Sequence, residues 1–414
     1  MKKIIAIAVG LSMMTLLFTG CAGNPGQPGA QAAQLPEPAA SVDPALIDGV
    51  NAMGIDMLKR LYTDMDGENF MISPASISLA LSMTANGADG ETLSEMQSAL
   101  NLGDLDMADV NGGQKDLMSI LLNPDNSEKV KVEIANALWA REGLSLKEAF
   151  LEACREYYRA ETQYLDFDDP GSVDVINTWV NDETHGMIPT IIDEPIEADT
   201  VLYLMNTLFF DGKWTEPFDP EKTYEGTFRK ADGAAVPVQM MSGEQDVMVY
   251  HDPDGDADIF SKAFGDNERL EMLFIRPQGG LNAYIQGLTV ETLNRMAAGL
   301  APESLQIGIP RFSYDTGMSL KDVLKSMGME RAFTGAAEFG PMSDRDLYID
   351  DVMHKTRIEV KEEGAKAAAV TSVEMKLTAM PMSLILDSPF LYLIRDRQTG
   401  AVLFVGVVEE PVEE

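Results

Sequence analysis

Val360-Lys361-Glu362-Glu363-Gly364-Ala365-Lys366-Ala367-Ala368-Ala369-Val370-Thr371 is the stretch on which the fold turns. Just before it, residues 355–359 alternate as a strand. The alternation then continues. Ala365, Ala367, Ala369, Thr371, Val373, Met375 and Leu377 share one face, while Lys366, Ala368, Val370, Ser372, Glu374, Lys376 and Thr378 share the other. A strand with its odd face in a core and its even face in water fits that pattern. Ala and Lys are nevertheless poor strand formers, and no turn chemistry pairs the segment with a neighbour. The pattern describes a strand with a second life as a loop. On these residues alone, an Ala-rich helix over 361–369 stays open.

The surrounding chain has 414 residues, with 67 Asp and Glu against 31 Lys and Arg, a formal net charge of −36, 45% apolar residues and 24% charged ones. That mixture excludes disorder throughout and supplies a large core. So acidic a chain has no basic face for nucleic acid or for broad docking on anionic lipid. Cys21 and Cys154 are too few for a disulfide framework or a Cys-rich zinc site, and His185, His251 and His354 offer little to a metal centre. No cofactor is expected. The nucleophile elbow, the H-E-x-x-H helix, the phosphate loop and the dinucleotide fingerprint are all missing. Asp252, Asp254, Asp256 and Asp258 resemble the start of a calcium loop, but Ala257 replaces its Gly and Ala263 its bidentate Glu. A solvated acidic turn is expected there, and a capping or surface role for His185 beside Gly186. An enzyme is not indicated.

Met1-Lys2-Lys3, the apolar run 4–18 and Thr19-Gly20-Cys21 read as a signal peptide over 1–20. Its end resembles the bacterial lipobox, which lipidates a cysteine placed like Cys21. Phe18 holds the slot where Leu is usual, with Leu17 one place further away, so a plain secretory signal is the alternative. Residues 22–41 are rich in Gly, Pro, Ala and Gln and too poor in bulky side chains to fold. Residues 21–45 are therefore assigned to the lipidated Cys and a flexible tether, and 46–414 to one domain of an exported, cell-surface lipoprotein. Cys154 is expected as a packed thiol on a helix. Helical spacing marks 47–61, 74–86, 91–100, 147–158 and 173–183. Strands are expected at 129–139, 201–210 (covered on both faces), 236–241, 271–275, 283–285, 305–309, 355–359, 391–395 and 402–408. With no repeat and no linker after the tether, one α+β domain fits better than several.

Many short motifs, in order, resemble those of the serpins, the protease-inhibitor family that includes antitrypsin. They begin with Asn69-Phe70-Met71-Ile72-Ser73-Pro74-Ala75-Ser76-Ile77, Asn136-Ala137-Leu138-Trp139 and Ile176-Asn177-Thr178-Trp179-Val180. Asn206-Thr207-Leu208-Phe209-Phe210-Asp211-Gly212-Lys213-Trp214, Ile309-Pro310-Arg311-Phe312 and His354-Lys355 follow, and Asp387-Ser388-Pro389-Phe390 and Phe404-Val405-Gly406 close the series. The resemblance covers about residues 46–411. It implies three β-sheets, about nine helices and an exposed reactive loop near the C-terminus.

It also implies a mechanism and a set of site residues. A serine protease cleaves the loop and is held as an acyl-enzyme while the loop inserts into the large sheet as an added strand. Glu362, Glu363, Gly364, Ala365, Ala367, Ala368, Ala369 and Thr371 match the hinge where insertion starts. The family usually has Thr-Glu where Ala365-Lys366 stand, and small inward residues favour quick entry. Ser73, Ser76, Asn206 and His354 match the shutter, a polar cluster beneath the sheet. Trp214, Arg311 and Glu362 match the breach, with an Arg311–Glu362 ion pair resisting early opening.

Counted in family register from Gly364, the reactive bond is Thr378–Ala379. A small residue before the bond suits elastase-like serine proteases. Leu377–Thr378 would suit chymotrypsin-like enzymes, Met382–Ser383 lies four residues late, and papain-like proteases stay open. No Arg lies in the loop, which disfavours trypsin-like targets. The expected protein is a monomer that meets a membrane only through its lipid. A non-inhibitory serpin, cut as a plain substrate, is one alternative, and a solute-binding lipoprotein of two α/β lobes is another.

Overall fold

In the computed structural model, residues 42–65, 67–122, 128–193, 195–198, 200–364 and 383–413 are described. The signal peptide, Cys21, nearly all of the tether, hinge residues Ala365, Ala367, Ala368, Ala369 and Thr371, and the bond Thr378–Ala379 lie outside them. Residues 34–414 form one compact unit, and the other unit, 1–33, falls wholly outside the described residues.

Nine α-helices and three β-sheets stand among the described residues, so the fold is α+β as the resemblance implied. Phe390–Asp396 and Val402–Val408, unbroken apolar runs for the most part, are buried at every position. They pair antiparallel inside the nine-stranded sheet, flanked by Leu270–Pro277 on one side and Phe70–Ile72 on the other. Further along, Ala235–His251 pairs with Ala301–Pro310, and Ser383–Ile385 runs parallel to the latter at the sheet's end. The first helix begins at Pro44, where the Asp43 side chain accepts from the Ala45 N–H, so the helix starts slightly before the expected domain boundary. Helix Pro74–Ala85 opens as its sequence indicates, with Ser73 as cap and Pro in the first turn.

The remaining strands form two small sheets. Glu161–Leu165, Val130–Arg141 and Leu202–Gly212 make one, with Val130–Arg141 in the middle. Phe312–Ser319 and Met353–Val360 make the other, in antiparallel register throughout. Leu202–Gly212 and Met353–Val360 are thus both edge strands. Among the described residues no ladder joins them, and the nearest link is the bridge Lys213–Gly364. Both strands line a cavity of about 360 Å³ that also touches Met71, Phe264 and Phe404 of the nine-stranded sheet, so the place for an added strand is between the two small sheets. A smaller hollow lies between residues 206–208 and 353–356, beside Ser73 and Ser76. Helix Gly171–Glu183 packs on the three-stranded sheet through Ile176 and Val180, against Ala137, Trp139 and Met205.

Three expectations are corrected. Residues 283–285 are not a strand. They lie in helix Leu281–Gly287, whose Leu281 and Ile285, four apart, are the buried face, and three residues of alternation are too few to separate the two periods. Strand Leu202–Gly212 is not covered throughout, because Leu204, Asn206 and Leu208 are only half buried along the seam. A helix does not start at Lys361. Lys361 and Gly364 exchange backbone hydrogen bonds of 3.2 and 3.1 Å across a tight turn, with Gly364 at φ +116°.

Candidate functional site

The seam has a polar cluster beneath its middle. Capping helix Pro74–Ala85 turns Ser73 toward the centre of the molecule, where its Oγ donates to the Leu403 carbonyl at 2.6 Å. The Ser73 N–H donates to His354 Nε2 at 3.1 Å, so that nitrogen is an acceptor and the ring is neutral. Burial pushes the His354 imidazole down to about 4. Ser76 N–H donates to Ser73 Oγ at 3.2 Å, and Ser76 Oγ donates to Asn206 Oδ1. The four residues singled out for this cluster are therefore brought together. His354 stands on one edge strand and Asn206 on the other, with the two serines between them.

The network runs further than the sequence indicated. Asn206 Nδ2 donates to Asn136 Oδ1 at 2.7 Å, Asn136 Nδ2 to the Tyr158 carbonyl at 2.7 Å, and the Tyr158 hydroxyl to Asn111 Oδ1 at 2.6 Å. Asn136 sits in a motif quoted above, but nothing in its spacing marks it as a partner of Asn206. The strand register places the two side by side.

The second cluster closes the end of the seam where the described chain leaves at Gly364. Arg311 Nε donates to both Glu362 oxygens at 2.9 and 3.0 Å, and a second guanidinium nitrogen adds a bond of 2.5 Å. Thr223 Oγ1 also donates to Glu362 at 2.5 Å. Burial works against the Glu362 carboxylate, yet the Arg311 and Thr223 hydrogen bonds hold its pKa below the usual value. Residues 214–218 hold the carbonyls of residues 361–363 one by one. Trp214 Nε1 donates to the Lys361 carbonyl at 3.0 Å, the Phe218 N–H to that of Glu362 at 2.8 Å, and the Trp214 N–H to that of Glu363 at 2.9 Å. The Trp214 indole stacks on Phe264, centroids 4.4 Å apart and planes within 11°. Trp214, Arg311 and Glu362 thus meet as expected. Gly364 is required as glycine, since a Cβ there would lie 2.2 Å from the Gly212 carbonyl oxygen.

Cys154 is 1% exposed on helix Glu148–Tyr158, and burial pushes its thiol up to about 12. His185 follows helix Gly171–Glu183 at φ 50°, exposed and touching Lys131 and Glu133. The acidic turn at 252–258 holds no cation-ready cluster, and none occurs among the described residues. The arrangement offers a gap between two strand edges that no ladder joins among the described residues, with the Arg311–Glu362 pair at one end and a polar cluster below.

Comparisons with known proteins agree with this architecture. The family model described as Serpin (serine protease inhibitor) matches residues 48–411. A serpin-like protein of Thermococcus kodakarensis is 32% identical over 375 residues, covering 88% of this chain and 86% of its own. The crystal structure of a thermophilic serpin, tengpin, in its native state superposes with a TM-score of 0.79 at 32% identity, covering 90% of this chain and 95% of that one. Human thyroxine-binding globulin, solved with thyroxine, has a TM-score of 0.81 at 27% identity, covering 89% and 100%. The two-lobed solute-binding alternative falls with this fold.

Proposed function

This chain belongs to the serpin family, and from that premise we propose that it is an irreversible suicide-substrate inhibitor of serine proteases, with elastase-like enzymes as targets. The observation that carries the proposal is the seam between Leu202–Gly212 and Met353–Val360, which no ladder joins among the described residues. Two parallel rows of N–H and C=O groups without a ladder can take up one more strand, and the segment after Gly364 has the period to supply it.

The reaction proceeds on the protease's own machinery. Its serine Oγ attacks the carbonyl carbon of Thr378, the C–N bond to Ala379 breaks, and the new amine leaves with a proton from the protease's general acid. The inhibitor is then joined to the enzyme by an ester. Ala365, Ala367 and Ala369 enter the seam first, so the leading buried face is small. From Gly364 to Thr378 is 14 residues, so the protease travels on the order of 45 Å at ~3.3 Å per residue. Distortion at its active site then halts hydrolysis of the ester, since loss of one oxyanion donor alone costs ~10²–10³ in rate. In this scheme the cluster of Ser73, Ser76, Asn206 and His354 is the shutter that lets the edges part. Trp214, Arg311 and Glu362 form the breach. The protein itself turns over no substrate and needs no cofactor. It acts as a monomer, exported by residues 1–20 and held at the cell surface by a lipid on Cys21 and a tether.

Incubation with an elastase tests the proposal. A band stable in SDS at the summed mass, a C-terminal peptide beginning at Ala379 by mass spectrometry, and a rise in thermal stability after cleavage are expected. Ala365→Arg should leave the loop cleavable and abolish the complex. Cleavage without complex in the unaltered protein would make it a non-inhibitory serpin.

A further inference from the structure

Lys262 is 3% exposed, yet it lies on strand Ala257–Phe264 between Phe260 and Phe264, on that strand's buried aromatic face. Its ammonium sits 5.4 Å from the centroid of the Trp214 ring and 4.8 Å from that of Phe218. It donates to the Glu216 carbonyl and to Gln245 Oε1, while Gln245 Nε2 donates to the Pro217 carbonyl at 3.0 Å. One amine therefore gathers the turn 214–218, the same turn that holds the carbonyls of residues 361–363.

We propose that Lys262 is a positioning residue for loop insertion: it clamps Trp214 at the mouth of the seam and takes up a proton as that mouth opens. The inference rests on the inhibitory function proposed above. Burial pushes the Lys262 ammonium down to about 7, against the partial support of the Glu216 carboxylate. The other elements packed against it bring no free charge. Strand Leu270–Pro277 pairs Met272 with it, and the neighbouring Glu271 is bound to Ser261 and Arg395. Strand Ala235–His251 presents Gln245, and the Glu362 carboxylate beyond Phe218 is neutralised by Arg311. In water a lysine titrates at about 10.4. Admitting water to the mouth restores that value, so between about pH 7 and 10 the open form holds a proton that the closed form lacks. Opening, and with it insertion, becomes harder as pH rises through that window. Below it the dependence ends.

Lys262→Met keeps an unbranched side chain and removes the proton. The association rate with an elastase is measured from pH 6 to 9.5 for both proteins and expressed as the ratio of unaltered protein to variant, in which the protease's own titration cancels. The ratio is expected to be flat below pH 7 and to fall by up to about tenfold per unit above it. A ratio independent of pH overturns the proposal. Tryptophan emission of the uncleaved protein, which needs no variant and no protease, should show a transition near pH 7, and its absence overturns the proposal as well. If no complex forms at any pH, the inhibitory function fails by itself, and the emission titration still decides the clamp.

Discussion

Protonation of His354 should break the cluster beneath the seam. Its Nε2 accepts the Ser73 N–H at 3.1 Å, and a proton on that nitrogen turns the acceptor into a second donor facing a donor. Burial holds the imidazole at about 4, against 6.5 when free. Because the folded value is depressed, the unfolded chain binds the proton first. The stability tied to neutral His354 is fully present above pH 6.5 and is lost as pH falls toward 4. A gap of about 2.5 pH units corresponds to about 3 kcal/mol for a side chain that is 7% exposed. His354→Gln keeps an acceptor and does not titrate in this range. Urea midpoints of the unaltered protein and the variant, taken at intervals from pH 7.5 to 4.5, separate His354 from the carboxylates that titrate nearby. The unaltered protein should lose progressively more stability than the variant, approaching the full difference near pH 4. Parallel losses across the window would refute the assignment of that proton to His354.

Three further outcomes follow from the Arg311–Glu362 pair, the turn and the charge. Glu362→Gln breaks a charge-assisted pair whose carboxylate is 8% exposed, removing about 1.5–2 kcal/mol. It should shorten the half-life of the active form by roughly 10–30-fold, read as lost inhibition with laddering on native gels. Gly364→Ala places a Cβ against the Gly212 carbonyl at φ +116° and should destabilise the uncleaved protein by about 1–3 kcal/mol, visible in its melting temperature. The net charge of −36 should speed association with a cationic protease at low salt, and a rate unchanged by added salt would leave that charge a role in solubility only.

The parts of the site written as local motifs were legible in the sequence. Ser73 followed by Pro74 is a cap whatever surrounds it, and the same geometry that starts the helix turns the hydroxyl inward. Trp214, Arg311 and Glu362 could be named from their motifs, though not the way residues 214–218 hold three successive carbonyls, which depends on backbone direction. Asn136 went unread because its partner Asn206 is fixed by strand register, a property of the pair. Lys262 did carry a signal, since a lysine on the apolar face of Phe260 and Phe264 breaks that strand's pattern. Its meaning needed Trp214 and Phe218, which only folding brings there. Helix Leu281–Gly287 was misread because a short apolar run carries too little period.

The middle of the nine-stranded sheet is built from Phe390–Asp396 and Val402–Val408, far along the chain from the strands that flank them. Phe70–Ile72 waits for residues 405–407, and Leu270–Pro277 waits for residues 391–396. At about 5–20 residues per second, a chain of this length spends about 20–80 s without a closed centre. During that interval the cavity along the seam lacks Phe404, part of its lining. Under the proposed reaction, cleavage between residues 378 and 379 would leave both strands paired in the sheet, so the cut molecule would stay in one piece.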